Sequence, residues 1–318
     1  VTDSIVVITN ADAGTADDEA LETALGVLRG ATTVEVHATS SPDELDTVLD
    51  GLGDLGDRRL VVVGGDGSIH AVVAALHRRN ELTGRVLGLV PLGTGNDFAR
   101  TLGIPLDPEE AAELVLAGAT RAVDLVVDER DAVTVNGVHL GAGAEAGEKG
   151  ARWKSRLGSV GIGKVNLGRI GYPIGALQTA LNPPTLRVRV EVDGEVVVDV
   201  DHQVLMVALG NGASVGGGTE LTPDAHPFDG LVDVLIATPV GTLSRLGYAL
   251  RLPFGRHEEH ADVQIVRGRT VRVTGCEFTC NSDGEIDGPV RSRSWRVLPS
   301  AYAMVVPVSE SGNDASGT

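Results

Sequence analysis

The sequence predicts a two-part fold: an α/β domain built on a parallel sheet, then a second, mostly antiparallel β domain. Three observations predict it. Apolar β-forming runs alternate with amphipathic helical runs from residue 4 to about 128. From about 129 the rhythm changes to strands joined by tight turns. The chain has 318 residues, 42% of them hydrophobic, too long for one small core and suited to two.

Taken in order, "SIVVIT" reads as a strand and "DDEALETALGVLR" as a helix. "TTVEVHAT" is a strand, and "SPDELDTVLDGL" a helix with Ser41 as N-cap and Pro42 at its first position. "RRLVVVG" is a near-continuous β-branched run, as a central parallel strand covered on both faces requires. "SIHAVVAALHRR" is a helix, "RVLGLVP" a strand and "NDFARTLG" a short helix. "DPEEAAELVLAG" is a helix capped by Asp107 with Pro108 behind it. This succession implies a parallel sheet with right-handed crossovers. In the second part, "DAVTVNGVHLG", "TLRVRVEVDGEVVVDV", "HQVLMVALG", "LVDVLIAT", "ADVQIVRGRTVRVTG" and "EFTCNSDGEI" read as strands. "VDGE" at 192–195 and "SDGE" at 282–285 mark hairpin turns. Helical insertions are expected near 171–181 and 240–251. The expected boundaries are 1–128, 129–298, a strand at 299–308 returning to the first domain, and a small, polar, disordered tail at 309–318.

The formal net charge of −18 gives the chain no general attraction to nucleic acid. No apolar run approaches the roughly 20 residues of a spanning helix, and "VTDSIVVITNADAG" lacks a basic leader. A soluble, cytoplasmic protein is expected. Lysine is scarce beside arginine, which fits either a GC-rich genome or salt adaptation. Cys276 and Cys280 on one strand would lie about 13 Å apart, too far for a disulfide. They read as two reduced strand residues.

Two glycine-rich turns carry the chemistry. "GGDG" ends one strand, "PLGTGND" ends the next, and both open helices. Ligands bind beyond the carboxyl ends of parallel strands. Helix starts there offer free N–H groups and a positive dipole end, and glycines admit phosphate oxygens close to the backbone. Two such loops side by side read as a nucleotide-phosphate cradle. A carboxylate among them, Asp66, needs a cation between itself and a polyphosphate, and Mg²⁺ suits it. No G-x-x-x-x-G-K-[ST] occurs, so the chain does not read as a P-loop enzyme.

At this point "VVVGGDGSIHAVV" and "LGLVPLGTGNDFARTLGIP" resemble the diacylglycerol kinase catalytic-domain family, which includes soluble bacterial lipid kinases and is related to the sphingosine kinases. "GRIGYPIGALQTAL", "VALGNGASVGGGTELTPDAHPFDGLVDVLIA" and the late "SDGE" continue the resemblance in order, over roughly 4–298. It implies a Rossmann-like nucleotide domain of the NAD kinase/diacylglycerol kinase-like kind and a C-terminal antiparallel β-sandwich. It implies transfer of the ATP γ-phosphate to a lipid hydroxyl, by default that of diacylglycerol, giving phosphatidic acid. The nucleotide contacts it implies are Asn10, Gly14, Thr39, Gly64, Gly65, Asp66, Gly67, Ser68, Gly93, Thr94, Gly95 and Asn96. Glu285 matches the general base, with Asp66 and Asp97 in the catalytic set. A structural Mg²⁺ would be held by Asp229 with backbone oxygens of His226 and Leu231. The first loop departs from the family's pattern in lacking its proline and carrying Asp12. Ser68 replaces a usual Thr, and His70 a common Asn.

The acceptor implied is a membrane lipid, yet the chain is acidic. From Glu148 to Ala180, however, six basic residues (Lys149, Arg152, Lys154, Arg156, Lys164, Arg169) face one acid, with Trp153 and Tyr172 among them. The basic segment 149–169 is therefore the expected peripheral contact with the membrane's inner face. Soluble acceptors, as in phosphofructokinases and NAD kinases, and a non-catalytic nucleotide-binding regulator are the alternatives. A homodimer stays open.

Overall fold

A computed structural model describes residues 4–11, 15–53, 58–141, 185–238 and 262–308. The expected helical insertions, the basic segment 149–169, Gly14 and the tail 309–318 lie outside the described residues. The chain divides into two units. One comprises Val1–Gly93, Leu102–Val123 and Tyr302–Thr318, the other Thr94–Thr101 and Asp124–Ala301.

The first unit carries strands β1 (Ser4–Asn10), β2 (Thr33–Thr39), β3 (Arg59–Gly64) and β4 (Val86–Pro91). Its helices are α1 (Thr15–Ala31), α2 (Pro42–Leu52), α3 (Asp66–Arg78) and α5 (Pro108–Ala117). The sheet order is β2-β1-β3-β4, every pair parallel. Beside β4 lies the end of a much later strand, β16 (Glu285–Val306), also parallel, with Ala303 opposite Val86. The chain thus steps outward from β1 to β2, then back across to β3 and on to β4. With right-handed crossovers this places α1 on one face and α2 and α3 on the other. Accordingly α2 packs on α3, while α1 packs on α5. The central strand is covered on both sides: Leu60, Val61, Val62 and Val63 are at most 1% exposed. Ser41 and Asp107 cap α2 and α5 as expected, Asp107 accepting the N–H groups of Glu109 (2.9 Å) and Glu110 (3.1 Å).

The second unit holds the short helix α4 (Asp97–Thr101) and, from Asp124 onward, the second half of β5 (Ala119–Asp128). Strands β6 (Val133–Thr134), β7 (Gly137–Gly141), β8 (Val188–Val192), β9 (Glu195–Val198) and β10 (Met206–Gly210) follow. So do β11 (Ser214–Val215), β12 (Thr219–Glu220), β13 (Val232–Ala237), β14 (Val263–Gly268) and β15 (Thr270–Ser282). The ladder β14-β13-β10-β7-β15-β16 is antiparallel throughout. β15 serves two layers. Its start pairs with β8 and its end with β7, and the register shifts twice between Thr274 and Cys280. Such bulges bend a strand and increase its twist. The inward residues of both layers, among them Val138, Leu140, Val190, Val207, Val234, Val273, Phe278 and Trp295, form one core. This is the expected β-sandwich arrangement.

Both expected hairpin turns are present. Asp193–Gly194 (φ 50°, 86°) and Asp283–Gly284 (φ 51°, 102°) have the paired positive φ that a two-residue hairpin needs. Cys276 and Cys280 are free thiols, and burial pushes the Cys280 thiol up to about 12. One expectation is corrected. α3 begins at Asp66, two residues earlier than its apolar periodicity suggests, because Gly65 rather than a side chain starts it. The strand expected at 299–308 is the end of β16, which runs unbroken for 22 residues from Glu285 to Val306. Its first half is mostly polar and exposed, so no apolar run announced it.

Candidate functional site

In the first unit, the strand order reverses between β1 and β3, and a crevice beyond the carboxyl ends at such a switch point is where open parallel sheets bind ligands. Three predicted residues end strands on that edge. Asn10 lies opposite Thr39 across β1–β2, and Gly64 opposite Pro91 across β3–β4. The N–H of Ala11 donates to the Thr39 carbonyl (3.0 Å), and that of Leu92 to the Gly64 carbonyl (3.1 Å), fixing the starts of the loops. Gly93 follows in the same unit.

The β3–α3 turn is built for close approach. α2 and α5 have side-chain caps, but α3 is capped by Gly65 with no side-chain hydrogen bond. The Ser68 and Ile69 N–H groups close onto the Gly65 carbonyl (2.9 and 3.2 Å). Asp66 and Gly67 are the first two helical residues, where a carboxylate is stabilised by the helix dipole. Gly64 is glycine for want of room: a Cβ there would lie 2.7 Å from the Ser68 Cβ and closer still to its Oγ. Gly67 is the opposite case. Its position is exposed, and a Cβ would meet nothing within 4 Å among the described residues. Internal packing therefore gives no reason for glycine at 67, whereas an approaching phosphate would.

The remaining predicted residues belong to the second unit. Thr94 is exposed; Asn96 is buried at φ 53° and precedes α4. The Gly95 carbonyl accepts from the Arg100 Nε (3.3 Å). Asp97 is buried, and its carboxylate accepts the backbone N–H groups of Gly217 (2.9 Å) and Gly218 (2.7 Å). These two glycines, with Gly216, have φ of 90°, 99° and 66°, a run open only to glycine. Asp97 is thus a positioning carboxylate that clamps a triglycine turn, and α4 packs on β11 beside it.

Glu285 is exposed, the first residue after the Asp283–Gly284 turn. That turn is anchored firmly. The Asp283 carboxylate accepts from the N–H groups of Val135 (2.6 Å), Asn136 (3.0 Å) and Gly137 (2.9 Å), and the Asn281 Oδ1 from that of Gly284 (2.8 Å). His139, in register with Asn281, is buried, and its Nδ1 has no hydrogen-bond partner among the described residues. Burial pushes its ring down to about 4, against the pull of the Asp283 and Asp97 carboxylates. Sequence reading missed Asp283, His139 and Asn136 as supports of the site. Only "SDGE" hinted at one of them, as turn chemistry.

His226, Asp229 and Leu231 do come together in one turn, but the donor set does not fit a divalent cation. Asp229 Oδ1 accepts the Leu231 N–H (2.9 Å), and Oδ2 is ion-paired with the Arg267 guanidinium. The His226 carbonyl already accepts from the Phe228 N–H (2.9 Å), and its imidazole stacks on Phe228. No cluster of three or more His, Cys, Asp or Glu side chains able to hold a metal occurs among the described residues. No helix among them is long and apolar enough to cross a membrane.

Comparison with known proteins adds the following. Residues 4–127 match the diacylglycerol kinase catalytic domain, and residues 159–306 the YegS C-terminal NAD kinase beta sandwich-like domain. The chain is 33% identical to a "Probable lipid kinase YegS-like" protein of Xanthomonas campestris pv. campestris (strain 8004), over 88% of this chain and 89% of that one. It is 29% identical to a "Diacylglycerol kinase" of Staphylococcus carnosus (strain TM300), over 72% and 70%. A diacylglycerol kinase crystal structure from Bacillus anthracis str. Sterne shares the fold, with a TM-score of 0.71 at 21% identity over 96% of this chain and 97% of that one.

Proposed function

Since the chain belongs to the diacylglycerol kinase catalytic-domain family of lipid kinases, we propose that it transfers the γ-phosphate of ATP to a membrane lipid hydroxyl, diacylglycerol first among them, giving phosphatidic acid. One observation carries the reading: α3 starts at the switch point with a glycine cap that makes no side-chain hydrogen bond. That end of the helix suits phosphate oxygens. Asn10, Gly14, Thr39 and Gly64 to Ser68 on the first unit, with Gly93 to Asn96, take the nucleotide. Asp66 would hold the Mg²⁺ that accompanies ATP, which would neutralise the phosphate charge. Glu285 accepts the proton of the lipid hydroxyl as its oxygen bonds to the γ-phosphorus and the bond to the β-phosphate oxygen breaks, releasing ADP. Such transfer is mostly positioning and charge neutralisation, which is why rigid turns suit it. The segment 149–169 meets the anionic inner face of the membrane, each basic residue contributing about 1 kcal/mol near that surface.

The test is labelled ATP with mixed vesicles of diacylglycerol and phosphatidylglycerol. Label in phosphatidic acid is expected. Label in a soluble sugar phosphate or dinucleotide, with none in lipid, would overturn the acceptor class. Reversing Lys154, Arg156 and Lys164 to Glu should weaken binding to anionic vesicles while ATP binding stays; unchanged vesicle binding would remove the membrane role of that segment.

A further inference from the structure

We infer that the acidic turn at 226–231 is closed by the guanidinium of Arg267 in place of a divalent cation, so that this chain holds the turn without magnesium.

The position of Arg267 is built into the sheet. It sits on β14 directly opposite Asp233 on β13. Its Nε lies 3.3 Å from Asp233 Oδ2, and its Nη2 is paired with Asp229 Oδ2. One planar cation thus spans two carboxylates, one from the turn and one from the strand that leaves it. Asp233 is almost fully buried, its side chain 3% exposed, and a buried carboxylate needs a partner. Arg267 provides it, with its own side chain 41% exposed.

The rest of the turn is tied by protein groups as well. The buried Asp124 carboxylate accepts the N–H groups of Gly230 (2.6 Å) and Ser300 (2.7 Å). Its own N–H donates to the Pro227 carbonyl (2.9 Å). Asp124 therefore holds both ends of the 227–230 stretch, its N–H at Pro227 and its carboxylate at Gly230.

A magnesium ion would have to break this arrangement. It demands near-octahedral oxygen ligands at about 2.0–2.1 Å. On Asp229 it would have to share Oδ2 with Arg267 or Oδ1 with the Leu231 N–H. Either way the guanidinium would stand beside a dication while still paired with the buried Asp233. That repulsion opposes binding.

The inference concerns the nucleotide-free protein and is independent of any kinase activity. The full chain is stripped with a chelator, dialysed, and followed by calorimetric unfolding with and without millimolar Mg²⁺. The wild type should shift by less than about 1 °C, whereas an ion present at a hundred times its Kd would raise the midpoint by roughly 4 °C. R267M keeps much of the apolar stem and frees Asp229, so it should be less stable and recover several degrees with Mg²⁺. The D229N/R267M double variant should not recover. A wild type stabilised by magnesium when D229N is not would overturn the inference. So would one equivalent of magnesium found by elemental analysis in the unstripped wild type and absent from D229N, or an R267M protein indifferent to the ion. If R267M does not fold, the wild-type measurements decide.

Discussion

Replacing Gly64 by alanine tests the turn that leads into α3. Gly64 is not among the positive-φ glycines, so its backbone tolerates a side chain. Only space forbids one. The new Cβ would sit 2.7 Å from the Ser68 Cβ, which is fixed one turn into the helix and is not the far end of a flexible chain. Either β3 or the first turn of α3 must move. Overpacking of this kind costs about 1–3 kcal/mol, which for a protein of this size is a fall in Tm of roughly 1.5–5 °C. The clash names its own remedy. S68G removes both offending atoms and should restore most of the loss in G64A, less about 1 kcal/mol for glycine in a helix. S68A leaves the Cβ in place and should restore little. Urea unfolding of the four proteins measures the coupling directly. Equal stability of G64A and wild type, or equal rescue by S68A and S68G, would refute the reasoning. Under the kinase reading, G64A should also raise the KM for ATP, because the amides that face the phosphates move with the turn.

Two further predictions follow from the second unit. E285Q should lower kcat by about 10²–10⁴-fold, the usual contribution of a positioned base, with little change in ATP binding; steady-state kinetics on vesicles reads both, and an unchanged kcat would remove Glu285 from the reaction. His139 carries a pH prediction. Its folded value of about 4 lies below the ordinary 6.5, so between those values the unfolded chain binds the proton that the folded chain refuses. Its neutral form supports the fold fully above pH 6.5, and stability falls as the pH drops toward 4, by about 3 kcal/mol from this group. Chemical denaturation at stepped pH should show a steeper acid slope for wild type than for H139Q, and superimposable slopes would contradict the assignment.

The first unit was legible because its signals are local. Ser41 and Asp107 announce their helices within four residues, and the β-branched run before "GGDG" reports a strand buried on both faces. The glycine turns pointed to the carboxyl edge for the same reason. The second unit was legible in its strands and hairpins but not in its supports. Asp283 meets Val135 to Gly137 across nearly 150 residues of chain, Asp97 reaches Gly217, and Arg267 finds Asp229 through strand register. No spacing rule encodes such pairs; only the sheet does. The magnesium turn shows the consequence, since its ligand pattern is intact in sequence while the cation beside it comes from another strand. β16 was hidden by composition: its exposed first half lacks the apolar alternation by which strands are recognised.

The last five residues of β16 have a consequence for how the molecule is made. Tyr302–Val306 supply a parallel strand beside β4, more than 200 residues after the rest of that sheet has been synthesised. Until they leave the ribosome, β4 presents a bare edge of the kind that invites mispairing. An isolated piece ending near residue 128 would carry that edge permanently. Such a piece should aggregate where the full chain does not, and a peptide covering 300–308 added in trans should quiet it.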